Sequence, residues 1–294
     1  MKAAAVKRGT LVAIVLAMAV PALSEDTAEP SAVTDRDRVF RNYVREAATV
    51  GNGMLRLELR GYHSEDEHRP DIDVLGYPVA DVERQKDATV IRNSGGVIDL
   101  LGSYGLGPNA EVGFDIPYVL EKFRLEDAAG AQRSLNEEDI GDILLYLKVK
   151  RQIATNCRIG AGVELTPPTG PERKFLGTGE IGLNPFVSTR YQNGRFSAGL
   201  HVGYLLYTGD VSDELNYSAQ FIARGSALFA LRLEFSGRHF KAFNRTYDDV
   251  LVFPGVDVNI TDTITIRPTG IFNITDESQD WGVGVGIAGQ LPVI

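Results

Sequence analysis

The sequence predicts an all-β chain, a closed antiparallel transmembrane β-barrel of about 12 strands with a short N-terminal helix. Three observations predict it. From Leu55 onward apolar and polar residues alternate with period two, the connections between those runs alternate short and long, and a cationic then apolar leader precedes them all.

Composition narrows the field before any motif is read. A single cysteine, Cys157, excludes a disulfide scaffold within the chain. A formal net charge of −9 without a dense Lys/Arg block argues against a nucleic-acid partner. Glycine, at 31 of 294 residues, exceeds average usage but follows no Gly-X-Y period, which suits strands and tight turns.

Residues 1–24 read as a secretory signal peptide. Lys2, Lys7 and Arg8 open it, an uncharged apolar stretch follows, and small Ala22 and Ser24 stand where a signal peptidase accepts them. The uncharged run from Gly9 to Ser24 is 16 residues, short of the ~18 to 20 that a spanning helix needs. Cleavage after Ser24 would leave 270 residues and move the formal charge from −9 to −12. Residues 25–52 then form an N-terminal periplasmic segment, and 53–294 the barrel. Within that segment 35–48 reads as a short helix with Thr34 as N-cap and Val39, Phe40, Tyr43, Val44 and Ala47 on one face. Either it plugs the periplasmic mouth or it is a tether.

Strands are expected near 54–63, 88–104, 110–124, 140–152, 157–166, 179–192, 195–207, 216–224, 229–240, 249–258, 264–273 and 281–292. In the last of these, Trp281, Val283, Val285 and Ile287 oppose only glycines. Likewise Leu231, Leu233 and Phe235 oppose Arg232, Glu234 and Ser236, and Leu55, Leu57 and Leu59 oppose Arg56, Glu58 and Arg60. Short turns are expected at 105–109, 153–156, 193–194, 225–228 and 259–263, with Asn193-Gly194 as the two-residue hairpin signal. Longer loops fall at 64–87, 125–139, 167–178, 208–215, 241–248 and 274–280. Short turns at one end and long loops at the other, on an even number of strands, is the layout of an outer-membrane barrel. A sheet in lipid must close on itself, because an open edge would leave N–H and C=O groups without partners. The same alternation is also found in a soluble β-sandwich, and the pattern alone does not say which face is inward.

The segments Gly141-Asp142-Ile143-Leu144-Leu145-Tyr146-Leu147-Lys148-Val149-Lys150, Glu164-Leu165-Thr166-Pro167-Pro168-Thr169-Gly170 and Leu176-Gly177-Thr178-Gly179 carry a further signal. In this order they resemble the outer-membrane β-barrel family labelled as meta-pathway phenol-degradation transporters. The likeness covers roughly 88–292, most clearly 110–207. It implies an outer-membrane barrel that takes up small organic, in part aromatic, compounds.

On the polar faces nine cations (Arg56, Arg60, Lys148, Lys150, Arg158, Arg190, Arg232, Arg238, Arg267) meet eight anions (Glu58, Asp99, Glu111, Asp115, Asp142, Glu164, Glu234, Asp257). Such balance predicts internal ion pairs and a narrow, weakly selective pathway or a closed barrel, since strong selectivity needs a ring of one sign. The lumen-lining candidates are Asp115, Asp142, Glu164, Arg158, Arg190, Arg232, Glu234 and Arg267. Asp115, Asp142 and Glu164 on neighbouring strands invite a proton-relay or metal site, but no ligand spacing supports one, and no cofactor is expected. Loop 64–87 holds eight acids against three bases, a solvated face or a site for cations bridging lipopolysaccharide.

A membrane hydrolase is the rival class. The histidines are His63, His68, His201 and His239, and the spacing of Ser236 and His239 puts them on opposite faces of a strand. No nucleophile elbow, zinc-protease motif or Walker loop occurs, so no enzyme is expected. The expected function is a channel or uptake porin for small organic solutes, against a non-conducting structural or binding barrel. Its expected partners are outer-membrane lipids, lipopolysaccharide, the barrel assembly machinery and the solute. Tyr118, Tyr191, Phe196, Tyr204, Phe272 and Trp281 are placed to form the interfacial girdles.

Overall fold

The computed structural model describes residues 47, 49–66, 88–127, 131–171, 176–209, 213–242, 245–275 and 281–293. The expected signal peptide, and the helix expected over 35–48 apart from Ala47, lie outside them. Thirteen strands follow in order: β1 Met54–Asp66, β2 Ala88–Gly105, β3 Ala110–Asp127, β4 Gln132–Ile140, β5 Leu144–Ala154, β6 Cys157–Thr166 and β7 Gly182–Asn193. The rest are β8 Phe196–Tyr207, β9 Glu214–Arg224, β10 Phe229–Ala242, β11 Arg245–Asn259, β12 Ile264–Asn273 and β13 Trp281–Pro292.

Every pairing between these strands is antiparallel, and the sheet closes. β1 pairs with β2 on one side and with β13 on the other, from Met54↔Pro292 to Glu65↔Trp281. The circuit has twelve positions rather than thirteen, because β4 and β5 share one. The lower half of β3, Ala110 to Asp115, pairs with β5, and its upper half, Tyr118 to Glu126, pairs with β4. Residues 141–143 interrupt that shared position.

Four expectations are corrected. The loop expected at 125–139 is mostly strand, the end of β3 and all of β4. Period two is lost in Gln132-Arg133-Ser134-Leu135-Asn136-Glu137-Glu138-Asp139, because polar residues fill both parities except at Leu135, and Gln132, Ser134, Asn136 and Glu138 make one face exposed. The strand expected from 140 starts only at Leu144. The loop expected at 241–248 is a hairpin, with only residues 243–244 between β10 and β11. At the β7/β8 hairpin the turn residues are Gly194 and Arg195 rather than Asn193 and Gly194. Asn193 pairs with Phe196, and Gly194 takes the positive φ (55°) that the first central position requires.

Burial then settles which face is inward. Leu59 (52% exposed), Leu231 (55%) and Val283 (56%) point outward, while Lys148 and Glu111 (both 0%) point inward. A soluble sandwich has the opposite order, so this is the arrangement of a barrel whose outside meets hydrocarbon. Aromatic residues bound the apolar band. Tyr104, Tyr191, Phe196 and Phe229 stand outward near the short-turn end, with Tyr118, Tyr204, Tyr217, Phe272 and Trp281 higher up. The eight-residue step from Phe196 to Tyr204 spans about 26 Å of strand, or about 20 Å along the barrel axis at a tilt of ~40°. Several strands continue beyond the upper row, so the long-loop end projects past the band.

Candidate functional site

Inside the barrel the side chains bond in sets. One set runs across β1, β12, β11, β10 and β9. Arg56 bonds Glu58 (2.5 Å), and Arg267 reaches Glu58 (3.2 Å) and Asp257 (3.7 Å). Arg232 lies between Asp257 (3.5 Å) and Glu234 (3.8 Å) and donates to Thr269 (2.8 Å), and Gln220 donates to Glu234 (3.3 Å). Alternating sign along this chain offsets the cost of withdrawing each group from water. Nearby, Arg60 joins Asp99 (3.2 Å) and Asp115 (3.3 Å), and higher up Arg238 joins Asp249 (2.6 Å) and Glu214 (3.9 Å).

A second set, on β6 to β9, is mostly neutral. Asn184 donates to Glu164 (2.6 Å), Asn216 donates to Asn184 (3.2 Å), and a ring nitrogen of His201 meets the Asn216 amide oxygen (3.2 Å). Asn184 is on β7 and Asn216 on β9, so their bond passes over β8. It passes at Gly203, where a Cβ would lie 2.5 and 2.6 Å from the two amide oxygens. Only glycine leaves that gap.

The third set draws in the N-terminal segment. Glu111 accepts from the Val50 backbone N–H (2.5 Å) and the Tyr146 hydroxyl (2.8 Å) and pairs with Lys148 (3.2 Å). Ala47, Thr49 and Val50 are 0 to 2% exposed. Ala47 lies against the inner wall at Gly160, where a Cβ would come within 3.0 Å of its Cα. The chain therefore runs inside the short-turn mouth before it turns into β1.

At the other end, the break at 141–143 holds the β6/β7 connection. One oxygen of Asp142 accepts from the Gly170 N–H (2.9 Å), and the other accepts from the Thr178 N–H (2.7 Å) and hydroxyl (2.9 Å). Thr169 returns the contact, donating to the Gly141 carbonyl (3.1 Å) and accepting from the Ile143 N–H (2.8 Å). Leu176, 1% exposed, packs with Val97 and Val119 on the inner face, with Tyr62 beside them. The connection is thus folded inward, and the three sequence segments that carried the family resemblance converge on Asp142.

The predicted site residues separate accordingly. Arg232, Glu234 and Arg267 share the first set, Glu164 is in the second, and Asp115 is with Arg60. Asp142 belongs to no wall network and instead clamps a loop. The three carboxylates singled out in the sequence thus have different partners, and no metal-holding group of three ligands occurs among the described residues. Arg158 and Arg190 sit directly opposite one another on β6 and β7. Ser236 and His239 are not brought together: Ser236 is across from Ser218, while His239 meets exposed Asp248 (2.6 Å) on the outer side. Sequence reasoning missed Tyr146, Asn184, Asn216 and Gln220 because it tracked charges. Their signal was position, since all four fall on the inward parity of their strands.

No known family profile matches the chain, and no curated protein does. Solved structures are similar in fold. An outer-membrane channel from Pseudomonas putida F1 aligns over 83% of this chain and 97% of its own, with a TM-score of 0.56 and 13% identity. The NanC porin aligns over 80% and 100%, with a TM-score of 0.54 and 9% identity. At those identities the likeness is one of fold, and that fold is the outer-membrane barrel.

Proposed function

We propose that this chain is an outer-membrane channel for passive uptake of small organic solutes, exported by a signal peptide that is cleaved after Ser24. The carrying observation is the inverted burial, with exposed leucine, valine and aromatic residues around a closed wall whose buried face holds arginine, lysine and carboxylates. Such a wall is stable only with lipid outside and polar contents within. The similar solved structures, a channel and a porin, favour the same reading. Aromatic solutes are the class that the family resemblance implies. The N-terminal segment 25–52 narrows the short-turn mouth, a reading supported by the burial of Ala47, Thr49 and Val50 inside it.

The test has two stages. Carbonate-washed membranes should retain the protein, and its electrophoretic mobility should shift on boiling. Purified protein should then form discrete conductance steps in planar bilayers, and deleting 25–50 should enlarge them. Release by carbonate would refute the membrane reading. A membrane-retained, heat-modifiable protein that never conducts, even after the deletion, would be a structural or binding barrel.

A further inference from the structure

Proline belongs at the edge of a sheet, because it has no N–H to give to a ladder, and a closed barrel has no edge. Two prolines nevertheless stand in the middle of this wall, Pro254 on β11 and Pro268 on β12. Both fall on the same seam. The Ile274 N–H donates to the Val250 carbonyl, so the even-numbered residues of β11 and β12 turn their N–H and C=O groups toward one another. The odd-numbered ones turn to the other neighbours: the Asn259 N–H donates to the Leu228 carbonyl just before β10, and the Thr263 carbonyl just before β12 accepts from Gln290 of β13. Each proline therefore withholds its N–H from the β11/β12 ladder and removes nothing from the ladders on either side.

The pairing shows the result. β10 pairs with β11 without a gap from Phe229↔Val258 to Ala242↔Arg245. β11 and β12 pair at Leu251↔Asn273 and Val252↔Phe272, again at Gly255↔Thr269, and then at Val258↔Ile266 and Asn259↔Thr265. The two gaps hold Pro254 and Pro268, and the register is the same on both sides of them, so the strands run on together with a weakened join. Val258 is level with Phe229, and Val250 with Gly237 and Tyr217, so both gaps lie inside the apolar band. A backbone carbonyl deprived of its donor costs most there. The side chains at the seam are few and apolar. Gly255 and Gly270 have none, and on the inner parity Phe253 and Ile271 stand opposite one another, followed by Leu251, where Asp249, Asp257, Thr265 and Arg267 are the buried polar neighbours. On the outer face the Phe272 ring lies over Gly270, where a Cβ would come within 2.9 Å of it and 3.5 Å of the Pro254 ring. Between the gaps Arg232 reaches over Gly255 to Thr269 (2.8 Å), a clasp made by side chains in place of a ladder.

We infer that the β11/β12 seam is a lateral portal, through which small uncharged apolar solutes, aromatic hydrocarbons included, pass from the lumen into the bilayer core. Opening it requires parting a weakened join and turning the side chains that cover it, without unpairing a regular ladder. Ions and carboxylates are held to the axial route, since the far side of the seam is hydrocarbon and withdrawing a charge into it is costly. The inference rests on the channel reading for delivery of solute to the lumen, and adds a route that leaves the lumen through the wall.

The experiment compares uptake of naphthalene, apolar and uncharged, with ion conductance. In a Cys157→Ser background, G255C/T269C puts one thiol on each side of the seam at a pair where the strands run closest, and a Cβ at Gly255 would lie 3.3 Å from the Thr269 hydroxyl oxygen. Cells carrying the full-length protein should take up radiolabelled naphthalene several-fold faster than cells without it. Oxidising G255C/T269C should abolish that gain and a reductant should restore it, while the conductance steps of the purified protein stay the same in both states. P254A/P268A, which returns both N–H donors, should lose the gain too and should need a higher temperature for its electrophoretic shift. Uptake that persists in the oxidised protein, or in P254A/P268A if no disulfide forms, would overturn the inference and leave the channel reading intact. So would a conducting protein that confers no naphthalene uptake. Absence of conductance counts against the channel reading alone, and the naphthalene comparison still decides the portal.

Discussion

Lys148 and Glu111 are each 0% exposed and bonded to one another, so removing one leaves the other charged in a site without water. Lys148→Met is expected to destabilise the barrel by about 3 to 5 kcal/mol, read as a lower temperature for the electrophoretic shift. Adding Glu111→Gln should recover much of that loss, and a double variant no better than the single would contradict the pairing. Gly203→Ala makes a second test, because its methyl would sit between Asn184 and Asn216. A loss of about 1 to 3 kcal/mol is expected, with no such penalty for the same change at Gly199. The charged members of the wall were legible in the sequence, since parity alone selects Arg232, Glu234 and Arg267. Their partners were not. Which arginine meets which carboxylate depends on strand register and on side chains that reach over a neighbour, as Asn184 and Asn216 reach over β8.

Period two survived in the elements where one face meets hydrocarbon and the other the lumen, and there the strand boundaries were readable to within a few residues. It vanished in β4, where polar residues occupy both parities, and the sequence therefore reads as loop. The interruption at 141–143 had a local signature, Gly141-Asp142 followed at a distance by Thr169-Gly170 and Thr178, but its meaning is tertiary. Asp142 spends its carboxylate on loop N–H and hydroxyl groups from two stretches of the β6/β7 connection. The N-terminal segment makes the corresponding contact at the other end, and Gly160 gives it room. Gly160→Val is expected to displace residues near Ala47 without opening the barrel. Limited proteolysis should then cut within 25–50 faster than in the parent, with the heat-resistant core unchanged. An equal rate of cutting would show that the segment does not depend on that contact.

For the molecule as a whole, the sequence displayed two chemically different faces but not their direction, because a sheet turned inside out has the same periodicity. Direction comes from closure and surroundings. A charge on the outer face tests it: Leu233→Arg, on β10 midway between Phe229 and the level of Tyr217, is expected to cost about 2 to 4 kcal/mol in a lipid bilayer. Were the outer face in contact with water, the change would be nearly silent in refolding titrations. The ion pair between Arg267 and Glu58 joins residues 209 positions apart and lies across the seam where the last strand meets the first. Neither group can find the other until that seam zips, so a partly assembled sheet holds Glu58 with Arg56 at one margin and Arg267 with Asp257 at the other. Assembly is thereby made cooperative. The closing step therefore joins two separate charge sets into one chain of alternating sign, a contact that no single hairpin of the barrel can form by itself.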